Sequence, residues 1–216
     1  NGTGTRSEHL IAASTIIRHR GPDDEGMLTW VPGEEPVIWA GADTAASTHE
    51  HWKYPTLQPG KTFKVGFGHR RLSILDLSPA GHQPMRFDPA GLAITFNGEI
   101  YNYLEIKEAL TKLGHTFATR SDTEVILHAW QQWGPECLHR FNGMFAFVLY
   151  DRARRRVLAA RDKEDLPGDM KDNKESAYCM VRDTMIENGA DPSQDGHLEL
   201  ASVAAWCGAH GLAEMA

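Results

Sequence analysis

The sequence predicts a layered α+β fold with a short helical C-terminal appendage, and three observations carry that expectation. Short segments of alternating apolar residues recur at small separations, the pattern of half-buried antiparallel strands. Two helical segments among them each open on a polar residue followed three positions later by a glutamate. The composition, 41% hydrophobic and 24% charged over 216 residues, is that of a chain able to build a core. It disfavours a disordered acidic chain and a fibrous repeat.

Taken in order, the first element expected is a helix over residues 7–19, with Ser7 as N-cap and Leu10, Ala13 or Ser14, and Ile17 at helical spacing. Arg20-Gly21-Pro22-Asp23 breaks it, because Gly and Pro in succession cannot continue a helix. Residues 36–40 read as a short strand, and residues 41–60 as a long polar loop of the kind that forms flaps or insertions. Residues 64–73 alternate as a strand, and Leu92, Ile94 and Phe96 mark another. Asn102 with Glu105 reads as a capping box for a helix whose buried stripe is Tyr103, Ile106, Leu110 and Leu113, with Gly114 as its stop. Residues 115–120 read as a short strand. Ser121 with Glu124 opens a further helix through Trp133, its Val125, Ala129, Trp130 and Trp133 facing a core. Residues 144–150 and 156–161 form a hairpin around a polar turn. Two more helices are expected, over about 176–188 and 198–214.

Charge divides the chain more sharply than hydrophobicity does. Residues 1–162 carry 18 acidic and 18 basic side chains, whereas residues 163–216 carry 11 and 4, so the whole net charge of −7 belongs to the last quarter. A neutral body and an acidic tail argue against nucleic acid as a partner. No apolar run has the length of a membrane span, and no leader opens the chain, so no membrane partner and a cytoplasmic location are expected. The three cysteines, Cys137, Cys179 and Cys207, show no paired spacing, which disfavours a disulfide framework and a zinc site alike; no metal is expected. The segment 163–175, charged and containing Pro and Gly, reads as a linker between a body (1–162) and a helical tail (176–216).

Six blocks then become informative together: HRGPDDEG (19–26), GHRRLSILDLSPAGHQPM (68–85), FNGEIYN (96–102), RSDTEVI (120–126), FNGMFAFVLYD (141–151) and AARD (159–162). In this order and spacing, residues 7–162 resemble the glutaminase domain of glutamine-hydrolysing asparagine synthetases, class II glutamine amidotransferases of the N-terminal-nucleophile hydrolase family. The resemblance implies a four-layer αββα sandwich and hydrolysis of the side-chain amide of L-glutamine to glutamate and ammonia. It also implies roles. Arg71 would take the α-carboxylate, with Leu72, Ser73, Ile74 and Leu75 lining the pocket. Asn97 and the N–H of Gly98 would form the oxyanion hole, and Glu99 and Asp122 would accept the α-ammonium. Taken one by one, these residues have plainer readings. Arg71 suits a solvated strand position, Asn97-Gly98 is a strong hairpin-turn signal, Asp122 is a carboxylate favoured in any first helical turn, and Arg20 could simply brace its turn.

The chain departs from that family at both ends. The family nucleophile is an N-terminal cysteine on an inner strand, whereas residues 1–5 read Asn-Gly-Thr-Gly-Thr and no cysteine precedes Cys137. The body is therefore expected to lack its first strand, and these 216 residues to be inactive as a glutaminase. After Asp162 nothing resembles the ATP-dependent synthetase half, so no cofactor is expected here; ATP and magnesium would belong to that half. The tail instead bears a faint likeness to the C-terminal helices of tetracycline-repressor-type regulators, carried by residues 185–215. A rival reading follows: a non-catalytic glutamine-binding module whose tail makes a homodimer.

Overall fold

The computed structural model describes residues 4–72, 78–162 and 184–185, which fall into two compact units, one reaching Pro84 and the other running from Met85 to Met185. The linker and the tail helices expected over 163–216 lie outside the described residues, apart from Thr184–Met185. That pair forms a two-residue strand where a helix was expected.

In the first unit, β1 (Thr5–Arg6) leads directly into α1 (Ser7–Ile16). Ser7 is the first helical residue rather than the N-cap. Its hydroxyl donates to Gln58 O at 2.9 Å and accepts from Lys61 N–H at 3.1 Å, tying the helix start to a later loop. A single 3-10 turn, Arg18–Arg20, ends the segment before Gly21 and Pro22. β2 (Asp24–Trp30) follows and is buried along its whole length. The sequence reading missed it, because Asp24 and Glu25 conceal the strand pattern and their charges are satisfied by residues far away in the chain. β2 is the centre of an antiparallel sheet between β3 (Val37–Ala40) and β5 (Val65–Arg71). The polar stretch expected to be a loop contains α2 (Ala46–Trp52), whose one buried residue is Thr48; with no apolar stripe it gives no helical signal. β4 (Thr62–Phe63) pairs with β1. Leu10, Met27, Leu57 and Phe63 form a small apolar cluster, with Ile11, Val31 and Trp39 packed against it.

The second unit is an antiparallel sheet in the order β10 (Thr184–Met185), β9 (Arg156–Arg161), β8 (Gly143–Asp151), β7 (Leu92–Ile100) and β6 (Met85–Phe87). α3 (Tyr103–Lys112) and α4 (Asp122–Trp133) contribute Ile106, Leu110, Val125, Ile126, Leu127, Ala129 and Trp130 to one large core with the strand residues Ile94, Phe96, Phe147 and Leu149. Two local expectations change. Asn102 stands at the N-cap of α3 but makes no cap; its amide instead donates to Arg140 O and its Oδ1 accepts from Asn142 N–H, both at 2.9 Å. Residues 115–120 are not a strand: the N–H groups of Ala118 and Thr119 donate to Glu124, 2.8 and 2.7 Å away. Ser121 does cap α4, accepting from Thr123 N–H. Among the described residues no helix is long and apolar enough to cross a membrane.

Candidate functional site

In the second unit, β7 carries Asn97, Gly98 and Glu99 opposite Ala146, Phe145 and Met144 of β8. The Asn-Gly pair is therefore inside a ladder and not at a hairpin turn. Gly98 has φ +130, and a Cβ there would overlap the carbonyl oxygen of Met144. The glycine is required both by the positive φ and by the close approach of β8. Asp122, the first residue of α4, turns back to β7 and accepts the N–H of Ile100 at 3.1 Å. Burial pushes its pKa up, and the nearby Glu99 charge adds to this. Hydrogen bonds from the N–H groups of Ile100, Thr123 and Asp122 itself oppose the rise without cancelling it. Neither Glu99 nor Asp122 is in an ion pair among the described residues. A half-buried carboxylate with a like charge near it favours the approach of a cation.

In the first unit, Arg71 closes β5, and its carbonyl accepts the N–H of Asp23 at 3.1 Å. Its Nη1 donates to Ser78 O at 3.2 Å. A cavity of about 370 Å³ is lined by Asp23, Asp24, Ala45, Ser47, Thr48, Arg71 and Ser78. Leu72, the next residue, is exposed. Ser73, Ile74 and Leu75 lie outside the described residues. Asp24 is buried beside Arg71 in the ladder register. Burial raises its pKa, but His82 Nδ1 at 2.7 Å, the Ala45 N–H at 2.9 Å and the charge of His82 outweigh it and hold the carboxyl below its usual range. His69 moves further, down to about 3, through desolvation first and then the neighbouring His82 and Arg71 charges. Its imidazole is neutral at ordinary pH.

A second set of charges gathers around the buried Arg70. Arg70 donates through Nε to Ser14 O and Oγ at 3.0 Å, and pairs with Glu25 at 3.0 Å and Asp43 at 2.8 Å. Arg18 reaches the same Asp43 at 2.8 Å. Glu25 also accepts from Ser14 Oγ and from Asp43 N–H. These partners hold the outer arm of β5 in place directly before Arg71.

The structure thus sets Glu99 and Asp122 within electrostatic reach of each other in the second unit and places Arg71 in the lining of a cavity in the first. Sequence reasoning missed Asp24 and His82, although both fall in the quoted blocks. Each looks like an ordinary polar residue until a partner 58 positions away is known.

A family model described as a glutamine amidotransferase domain matches residues 59–165. An asparagine synthetase (glutamine-hydrolysing) of Bacillus subtilis, its form 1, is 34% identical over 160 residues, 74% of this chain and 20% of the relative. Form 3 of the same organism is 42% identical over 101 residues, 46% of this chain and 16% of the relative. The chain therefore spans a fifth or less of the length of these relatives. Among solved structures, the glutamine phosphoribosylpyrophosphate amidotransferase of B. subtilis superposes with a TM-score of 0.56 at 21% identity, covering 74% of this chain and 36% of that one. This likeness concerns the fold alone, and its mixed helix and sheet content agrees with the α+β class that the sequence led us to expect.

Proposed function

Since residues 59–165 are a glutamine amidotransferase domain homologous to part of the glutamine-hydrolysing asparagine synthetases, we propose that this chain recognises L-glutamine as the ammonia-donating portion of such an enzyme. Arg71 takes the α-carboxylate, since a guanidinium meets a carboxylate through two parallel hydrogen bonds. Leu72, Ser73, Ile74 and Leu75 are assigned to the same ligand by the motif they share with Arg71. Glu99 and Asp122 accept the α-ammonium. The side chain of Asn97 and the N–H of Gly98 donate to the oxygen that becomes negative when the amide carbon is attacked. In the parent enzyme the released ammonia serves an ATP- and magnesium-dependent amidation of aspartate.

The observation that carries this reading is the Asp122–Glu99 pair. A half-buried carboxylate whose pKa is raised by desolvation and by a like charge is stabilised when a cation arrives. An amino acid's ammonium group is such a cation. Attack on the amide is assigned to none of the described residues, because Cys137 is buried in the 3-10 turn Gly134–Arg140 and carries no free amine.

Isothermal titration of the full chain with L-glutamine tests the reading. One site is expected, and Arg71→Ala and Asp122→Asn should each weaken it about tenfold or more, as loss of a charge-assisted hydrogen bond requires. No binding by a folded chain, or binding that both substitutions leave untouched, overturns it.

A further inference from the structure

The guanidinium of Arg71 is held by a loop that is itself clamped from one side. Its Nη1 donates to Ser78 O, and its plane lies against Gly81 so closely that a Cβ at that position would overlap Nη2. Ser78 and Gly81 belong to one 3-10 turn, Pro79–Gly81, closed by Gly81 N–H to Ser78 O at 3.2 Å and His82 N–H to Pro79 O at 3.1 Å. Two attachments fix the turn to α2 and the residues after it. Trp52 donates its indole N–H to Pro79 O at 2.8 Å. Next along, the His82 ring is bonded to Asp24 at 2.7 Å. Asp24 in turn accepts from Ala45 N–H and Thr48 Oγ1 at the start of α2.

Between these two attachments runs a continuous aromatic stack. The Trp52 and Tyr54 rings are nearly parallel, 8° apart with centroids at 5.8 Å, and Tyr54 lies on His82 at 5.5 Å. His51 meets the edge of Trp52 at 4.6 Å. Trp52 remains 42% exposed, so its place is not explained by burial in a core. A large aromatic kept at the surface, with its only polar atom on a turn carbonyl, makes sense as a fastener for that turn.

We propose that Trp52, Gly81 and the Asp24–His82 pair are positioning residues that hold Arg71 in the orientation that receives the α-carboxylate of an amino-acid substrate. Selectivity for that carboxylate is then a property of α2 and its aromatic stack as much as of Arg71. The proposal rests on the glutamine reading for the identity of the ligand, but the clamp on Arg71 has a readout of its own. Gly81→Ala is the informative substitution: the three atoms nearest its new methyl group all belong to the far end of the flexible Arg71 side chain, so the fold can persist while Arg71 must move. Trp52→Phe is milder, keeping the stack and deleting only the indole donor.

The side-chain Nε–Hε resonance of Arg71 in the full chain, assigned by its loss in Arg71→Lys, reports the clamp without any ligand. It should shift or broaden in both variants. Titration with L-glutamine should weaken about tenfold in Gly81→Ala and about threefold in Trp52→Phe, as expected for one misplaced or loosened hydrogen bond. The affinity for L-glutaminamide, which lacks the α-carboxylate, should be the same in wild type and variants. If wild type fails to bind glutamine while the Arg71 resonance still responds, the substrate reading fails and the clamp survives. An Arg71 resonance unmoved by Gly81→Ala, or equal losses for glutamine and glutaminamide, overturns the clamp.

Discussion

In the first unit the sheet buries charges alongside apolar residues: Arg70, Glu25, Asp24 and His82 are buried, as are Met27, Leu28, Val65 and Phe67. In the second unit the sheet and two helices enclose one large apolar core, with Ile94, Phe147, Leu149, Ile126 and Leu127 fully buried. The two constructions differ in what they tolerate. Apolar packing accepts another side chain of similar volume, whereas a buried ion pair depends on both partners and on their geometry. The unit with the stricter construction is the one that orients Arg71.

The largest effect that can break this comparison is a truncation in the apolar core. Phe147→Ala should cost about 3–5 kcal/mol in chemical denaturation, while the volume-preserving Leu149→Met should cost under about 1.5 kcal/mol. In the first unit Glu25→Ala should cost about 3 kcal/mol, the low end for a broken buried pair, because Asp43 keeps its contact with Arg70. Unlike the core positions, Glu25 has no harmless isostere: Glu25→Gln should remain clearly destabilising. A neutral result there would mean that the charge network is incidental.

Acid should separate the units next. His69 has its pKa lowered from 6.5 to about 3, so its contribution is present above pH 6.5 and is lost as pH falls from there toward 3. Glu124 is lowered from 4.5 to about 2. Burial would raise it, but the His128 imidazole 3.8 Å away and hydrogen bonds from the Thr119 hydroxyl and the Ala118 and Thr119 N–H groups prevail. Its contribution is lost only as pH falls from 4.5 toward 2. Amide exchange followed during acidification should therefore show the first unit loosening before the second. His69→Gln should flatten the early phase, and Glu124→Gln the late one. The smallest effect is local: Ser121→Ala removes the cap on Thr123 N–H and should cost about 1 kcal/mol, with little change in the first unit.

What could be read from the sequence follows the same division. The apolar strands and helices of the second unit announce themselves, since residues such as Val125, Ala129 and Trp130 repeat at the period of the element they form. β2 and α2 of the first unit do not, because Asp24, Glu25 and Thr48 are buried by virtue of partners elsewhere in the chain. Asn97-Gly98 shows the limit most clearly. The pair has the chemistry of a turn, yet Gly98 is required by the approach of Met144 across a ladder, a tertiary fact invisible in two letters. Arg71, Asn97, Gly98, Glu99 and Asp122 are named from motif order alone, whereas the contacts of Trp52, Gly81 and His82 show only in the folded chain.

One feature of the second sheet also sets a clock. β8 pairs with β7 over all nine of its residues and with β9 over six, and its residues from Phe147 to Tyr150 are almost wholly buried. No fraying of one neighbour frees those amides, because the other still holds the strand. Their protons can reach solvent only when the whole unit opens. Deuterium uptake at Phe147, Val148, Leu149 and Tyr150 should thus be the slowest in the described chain, and its rate reports the lifetime of the folded second unit directly.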